Sequence, residues 1–187
     1  PLVKGEGITR ARAAGIEVVT DVLLDESRWL NRRFILSIEQ QRPYIILKWA
    51  RSADGFMDDH GRTARISSAE TDVLVHRWRS EEQAILVGSR TVINDDPQLD
   101  VRHVEGRSPM RVVLDREGAT PPEAKVHDGS RPTLVFTCVE RKELRSEQIV
   151  MDRSEDPLIR MMAELHERQV RSVMVEGGAE LLGHFIQ

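Results

Sequence analysis

Of the chain's 187 residues, 40% are apolar and 31% charged, with a net charge of -4, a balance that excludes a disordered tail and a fibrous repeat. No stretch approaches the run of roughly 18 apolar residues that a membrane helix needs, and the acidic balance does not favour a nucleic-acid coat. Neither a membrane nor a nucleic acid is therefore expected as a partner.

The lone cysteine, Cys138, can form no internal disulfide and cannot supply a zinc site that needs two thiolates. With no basic stretch leading into an apolar signal segment, a reducing, cytoplasmic setting is expected. Pro1 opens the chain in mid-phrase, and Gln187 falls inside the apolar helical pattern Leu181, Leu182, Phe185, Ile186. The sequence reads as a segment of a longer polypeptide.

The first section reads as helix, strand, helix. Ile8 to Ala14 stops at Gly15, a residue suited to a left-handed cap. Ile16 to Val19 is a short β-branched run. Asp25 to Ile38 follows with helical spacing and an acidic start that suits the helix dipole. The polar stretch Glu39-Gln40-Gln41-Arg42-Pro43 is the best boundary, dividing a small remnant at 1–42 from a main domain at 43–187.

Beyond it the rhythm is strand, helix, strand. Tyr44 to Ala50 is apolar enough to be expected at the centre of a sheet. Ser67 and Glu70 have the spacing of a capping box, opening a helix with Val73, Leu74 and Trp78. Strands are predicted at 84–87, 111–114, 133–136 and 173–175, and a helix from Pro157 with Leu158, Met161, Met162 and Leu165 facing inward. The alternation predicts an α/β layered fold with flanking helices around a largely parallel central sheet.

The sharpest local pattern is Val173-Met174-Val175-Glu176-Gly177-Gly178, a buried strand running through two glycines into a helix. Such a turn either presents backbone N–H groups to a phosphate or is an ordinary tight connection. It lacks the G-x-G-x-x-G spacing of a dinucleotide fingerprint. Glu176 stands where open α/β sheets place ligands, able to bind a sugar hydroxyl or to cap the helix.

Gly88 to Pro97 also follows a strand. Thr91 offers a hydroxyl there, and Asp95-Asp96 could hold ribose hydroxyls or a metal, although acids before proline more often form a turn. Arg79 and Arg102 flank this segment with guanidinium forks suited to phosphate or, taken singly, to solvent. Lys48 interrupts an apolar run and is expected at a pocket mouth rather than snorkelling at a sheet edge. Asp58-Asp59-His60 fits a charged loop tip better than a metal site, and His76, His103, His127 and His166 show no partner at ligand spacing.

Taken in order, Pro43 to Lys48, Ser52-Ala53-Asp54-Gly55, Ile66-Ser67-Ser68, Val75 to Arg79, Ala84 to Gly88, Thr91, Asp95-Asp96-Pro97, Leu99, Val101-Arg102, Arg111 to Asp115 and Val175 to Gly178 resemble the bifunctional deaminase–reductase of riboflavin biosynthesis. The opening Pro1 to Ile8, with Ala14 to Val18 and Leu30 to Phe34, is similar to the tail of that family's deaminase domain. The family's Pro-Cys-x-x-Cys zinc motif is absent from this sequence, which has a single cysteine, so zinc and deamination would belong to the parent chain outside this segment.

The resemblance implies a dihydrofolate-reductase-like domain, truncated at its C-terminus. It also implies NADPH as cofactor, 5-amino-6-(5-phosphoribosylamino)uracil as substrate and a homodimer. By the family pattern Ala50, Thr91, Asp95 and the turn Gly178, Ala179, Glu180, Leu181, Leu182, Gly183 and His184 fall at the cofactor. Lys48, Thr63, Arg79, Leu99, Arg102 and Glu176 fall at the substrate, with Lys48 and Glu176 nearest the chemistry.

Two departures bear on the cofactor. Arg65 stands where the family often has Trp, and Arg116 where a small polar residue is common; either could grip the NADPH 2'-phosphate or point to solvent. The alternatives are a related oxidoreductase with another substrate and a nucleotide-binding or dimerising module without turnover.

Overall fold

A computed structural model describes residues 5–57 and 66–186. Thr63, Arg65 and Asp58-Asp59-His60 lie outside the described residues.

Six short strands make one sheet in the order β1-β6-β2-β3-β4-β5. They are β1 (Tyr44–Leu47), β2 (Ala84–Gly88), β3 (Met110–Leu114), β4 (Thr133–Thr137), β5 (Glu147–Val150) and β6 (Ser172–Val175). Every pairing is parallel. The apolar runs of β2, β3, β4 and β6 fit this because a parallel sheet is covered on both faces.

One face carries Leu86, Val112, Leu134, Phe136 and Val175 against Met161 and Leu165 of α6 (Pro157–Glu167) and Leu181 and Leu182 of α7 (Ala179–Ile186). The other carries Ile85, Val87, Val113 and Val135 against Val92 of α5 (Ser89–Asp95), Leu99, Ala124 and Val126. After β5 the chain returns through α6 and inserts β6 between β1 and β2.

The opening section departs from its sequence reading. α1 (Glu6–Ala13) ends before Gly15, whose φ of +78° is the left-handed geometry expected there. Ile16 to Val19 forms no strand, and both end residues are exposed. A β-branched run with no neighbouring strand cannot complete its backbone hydrogen bonds as a ladder. The long helix divides at Asn31 into α2 (Leu24–Leu30) and α3 (Arg32–Glu39). The Asn31 amide donates to the Ser27 carbonyl at 2.9 Å and competes with the helix for that acceptor.

β1 lies at the edge of the described sheet rather than at its centre. Its apolar residues are covered by α3, while Arg32 and Arg33 place their guanidinium groups 5.6 and 5.7 Å from the Tyr44 ring centre. Arg33 also forms a two-pronged ion pair with buried Glu82, with Nε 2.9 Å from Oε2.

α4 (Ala69–Glu81) begins one residue later than the Ser67–Glu70 spacing predicts. Ser68 is the cap, its Oγ accepting the Thr71 N–H at 3.3 Å. The helix buries Val75 and His76 and leaves Val73, Leu74 and Trp78 exposed. α6 starts as predicted, with Asp156 accepting from the Leu158 and Ile159 N–H groups and Pro157 at the first helical position.

Arg111, on β3, is fully buried. Its Nε donates to the Gln98 carbonyl at 3.1 Å. Its Nη1 reaches the Lys125 carbonyl, the Val126 carbonyl and the Asp128 carboxylate at 3.1, 3.3 and 2.8 Å. A weaker contact joins Nη2 to Ser130 Oγ at 3.4 Å. The charge is accommodated because it ties two loops to the sheet.

Just past the other end of β3, buried Asp115 accepts from the Ala119 and Thr120 N–H groups at 2.9 Å each and from the Thr120 hydroxyl at 2.7 Å. Thr120 in turn lies 3.0 Å from Nε2 of buried His127, whose Nδ1 lies 2.9 Å from Ser146 Oγ. Both networks are structural ties between loops.

Candidate active site

Parallel strands all end at the same rim, and the insertion of β6 gathers three ends there. Leu47 of β1 is in register with Val175 of β6, and Val175 with Leu86 of β2. The next residues, Lys48 and Glu176, therefore leave adjacent strands at the same rim. Backbone bonds fix both, since the Lys48 N–H donates to the Val175 carbonyl at 2.9 Å and the Glu176 N–H to the Leu86 carbonyl at 3.0 Å. Lys48 is half-buried and has no ion pair among the described residues. Ala50 follows it, also half-buried.

Arg79 reaches this rim from α4. Its Nε and Nη2 donate to the two Glu176 carboxylate oxygens at 2.7 and 2.6 Å, and its Nη1 donates to the Asp100 carbonyl at 3.1 Å. Both side chains of the pair are nearly buried, at 12% and 6% exposure. All three guanidinium nitrogens are engaged, so Arg79 acts as the fixed support of Glu176. Burial opposes the charge on Arg79, but the Glu176 contacts win and its pKa is raised.

Arg102 is the more accessible cation, with half its side chain exposed. It pairs with the Asp100 carboxylate, which Arg131 approaches at 3.7 Å. Burial pushes Asp100 up, yet its bond to Arg102 leaves it below the usual carboxylate range. Leu99 is buried and has a φ of +52°, an uncommon left-handed value for a large residue. That turn sets the direction in which Asp100 and Arg102 leave the core.

At the same rim Gly177 packs against α5, and Gly178 has a φ of +66°. A Cβ on Gly177 would lie 2.7 Å from Thr91 Oγ1 and 3.1 Å from both the Thr91 and Val87 Cβ atoms. Gly177→Ala is expected to cost about 1–3 kcal/mol by overpacking. Gly183→Ala, inside α7 with nothing within 4 Å of the added Cβ, should gain about 0.5–1 kcal/mol. Urea midpoints of the two variants that move the same way would contradict this account of the turn.

The first α7 bond runs from the Leu182 N–H to the Gly178 carbonyl, so the preceding N–H groups at the exposed residues Ala179 and Glu180 have no partner within the helix. This end fits a phosphate-bearing cofactor. Glu180 adds a negative charge that Arg90 offsets at 3.0 Å. Leu181 and Leu182 are buried in the core, Gly183 is half-buried and His184 is exposed. Their relation to a cofactor would run through the helix backbone more than through the leucine side chains.

Asp95 is the last residue of α5, and the neighbouring Asp96 forms the turn weighed from its sequence, its carboxylate accepting the Lys125 N–H at 2.8 Å. Arg116 follows Asp115 beyond β3 and donates to the Arg153 carbonyl at 2.7 Å.

The structure thus brings together Lys48, Arg79, Leu99, Arg102 and Glu176, with Thr91 and Gly178 beside them. Sequence reasoning missed Asp100, His76 and the pairing of Arg79 with Glu176. Two concavities of about 360 and 350 Å³ lie elsewhere, beside Tyr44 at the start of β1 and beside Met110, Thr133 and Glu147 at or near the starts of β3, β4 and β5. Ligands of open parallel sheets bind at the opposite, carboxyl ends, where the charged cluster stands. Among the described residues, no group of three or more His, Cys, Asp or Glu is placed to hold a metal, and no helix is long and apolar enough to cross a membrane.

The chain is thus an α/β domain with a parallel sheet whose carboxyl rim carries a glycine turn and a cluster of charged side chains. Residues 43–187 match the family described as RibD C-terminal domain, and the chain belongs to that family. It is 38% identical over 197 aligned residues to the riboflavin biosynthesis protein RibD of Aquifex aeolicus, covering all of this chain and 54% of that protein.

Among solved structures it is similar to a diaminohydroxyphosphoribosylaminopyrimidine deaminase/5-amino-6-(5-phosphoribosylamino)uracil reductase from Thermotoga maritima. That likeness has a TM-score of 0.88 and 36% identity, covering 96% of this chain and 52% of that one. Acinetobacter baumannii RibD gives a TM-score of 0.86 at 32% identity, covering 100% and 54%. The chain spans about half the length of the curated relatives it matches. The layered α/β architecture is that of the dihydrofolate-reductase-like fold.

Proposed function

We propose that this chain is a riboflavin-pathway reductase that converts the ribosyl group of 5-amino-6-(5-phosphoribosylamino)uracil to the ribityl group, using NADPH. Family membership supports the reaction class, and the name of the Thermotoga relative supports the substrate. The observation that carries the assignment is the Glu176–Arg79 pair beside Lys48 and Arg102, next to the Gly177-Gly178 turn. One rim thus offers an anchored carboxylate, a cation for a phosphate, a lysine and a glycine turn leading into a helix N-terminus.

When bound, NADPH would supply a hydride to ribose C1'. The sugar ring opens to an imine between C1' and the amine nitrogen; C1' gains the hydride and the nitrogen a proton, leaving a saturated carbon–nitrogen bond. The chain's task is positioning and charge control. Glu176, held by Arg79, accepts from a sugar hydroxyl. Arg102 meets the 5'-phosphate, while Arg79 already directs three of its five N–H donors to Glu176 and Asp100. Lys48 lies nearest the reacting carbon and orients the opened sugar or supplies the proton. Thr91, Asp95, Ala50 and the Gly178–His184 turn hold the cofactor, with Arg65 and Arg116 candidates for its 2'-phosphate and Thr63 for the substrate. A cytoplasmic homodimer belongs to the same proposal.

Lys48→Met is expected to lower kcat by about 10²–10⁴-fold, the range for loss of a positioned proton donor, with cofactor affinity unchanged. The check is anaerobic NADPH oxidation alongside a cofactor titration. Unchanged turnover would remove Lys48 from the chemistry.

A further inference from the structure

His76 sits on α4 one turn before Arg79 and is only 3% exposed. Its Nδ1 accepts the Arg102 backbone N–H at 3.1 Å, and its ring meets His103 edge-on with centroids 4.5 Å apart. An accepting Nδ1 carries no proton, so the neutral ring holds its proton on Nε2. The segment is tied on three further sides, by Arg79 to the Asp100 carbonyl, by the Val101 N–H to Ser108 Oγ at 3.0 Å and by the Asp100 carboxylate to Arg102 and Arg131. Of these ties, the His76 bond alone reaches the Arg102 backbone.

We propose that His76 is a positioning residue for the phosphate subsite, fixing the backbone of Arg102 through Nδ1 so that its guanidinium meets the substrate phosphate in one orientation. This rests on the function proposed above, in which Arg102 binds that phosphate. A proton on Nδ1 replaces the acceptor with a second donor and breaks the tie.

The charged groups acting on the ring are Arg79 from its own helix and Arg102, His103 and Asp100 from the facing loop. Burial, then Arg79, Arg102 and His103, favour the neutral ring, and Asp100 opposes them. The folded pKa is therefore lowered. The tie is intact at neutral pH and is lost on acidification, below the ordinary histidine value of about 6.5.

The test follows the Arg102 amide by nuclear magnetic resonance and KM by NADPH oxidation, each against pH. It compares the wild-type chain with His76→Asn, whose Oδ1 can accept at the same place but cannot titrate, and with His76→Phe, which keeps bulk but no acceptor. The Arg102 amide should shift with the His76 midpoint in the wild type and stay still in the Asn variant. KM for the phosphorylated substrate should rise in acid by about fivefold more in the wild type than in His76→Asn. Titration of the substrate's own phosphate, near pH 6, is common to both and cancels. His76→Phe should raise KM about tenfold at neutral pH with kcat little changed.

An Arg102 amide indifferent to His76 protonation overturns the proposal, as does a titrating amide with superimposable KM profiles. Absence of turnover in the wild type, with the amide still titrating, would instead sink the proposed function and leave His76 as a pH-sensitive tie with no substrate role.

Discussion

Arg111→Met should lower the stability of the chain by about 3–5 kcal/mol, the range for removing one partner of a buried, hydrogen-bonded charge. Domains of this kind are stable by about 5–15 kcal/mol, so the variant is expected to be marginal or unfolded. Methionine fills much of the space but abandons the carbonyls of Gln98, Lys125 and Val126. Buried acceptors without donors are costly.

Arg111 also holds Asp128 well below the usual carboxylate range, chiefly through their hydrogen bond. A carboxylate whose folded pKa is depressed contributes stability above its unfolded value, about 3.9, and loses it as pH falls through the folded one. The gap between wild type and variant should therefore narrow in strong acid. Urea unfolding at neutral and acidic pH measures both effects. A variant within 1 kcal/mol of wild type at neutral pH would show that the network is dispensable.

Arg79→Met should impair stability and activity together. It removes the only guanidinium bonded to the Glu176 carboxylate among the described residues, leaving a nearly buried acid unpaired. The expected loss is about 2–3 kcal/mol of stability and about 10²-fold in kcat/KM, because Glu176 loses the fork that holds it in place. Arg79→Lys keeps the charge but not the fork, and should fall between the two. Combining Arg79→Met with Glu176→Gln should recover part of the stability, since no lone charge remains, while activity stays low. Recovery of activity in the double variant would mean the pair serves folding alone.

Much of this frame was legible in the sequence. The four buried strands β2, β3, β4 and β6 show as continuous Val, Ile and Leu runs because both faces of a parallel sheet are covered. Gly177-Gly178 shows because a strand that turns directly into a helix needs a small residue against Thr91 and a left-handed φ after it.

β5 was invisible. As an edge strand it is only half-covered, so Glu147 and Gln148 are tolerated. β1 misled in the opposite direction, being apolar because α3 covers an edge strand. The break at Asn31 turns on one side-chain bond that helical periodicity does not register.

The separate ingredients of the site were visible, but their partnership was not. Arg79 and Glu176 are 97 residues apart and meet only because β6 returns between β1 and β2. From sequence both arginines looked suited to phosphate; the fold shows in addition that Arg79 holds the Glu176 carboxylate. Asp100 reads as an ordinary loop acid until its three arginine neighbours are placed around it. Arg111 carried a usable signal, since a charge inside an apolar strand demands buried partners. His76 carried little, because a histidine among charged helical residues is usually solvated.

In the proposed function this rim reduces a phosphoribosyl group. The most direct measurement is anaerobic oxidation of NADPH by the chain in the presence of 5-amino-6-(5-phosphoribosylamino)uracil, with the product identified by mass. One ribityl product formed per NADPH consumed, with NADH a much poorer donor and Glu176→Gln strongly impaired, is the predicted result. NADPH binding with no oxidation and no product would contradict it and leave the domain a nucleotide-binding module.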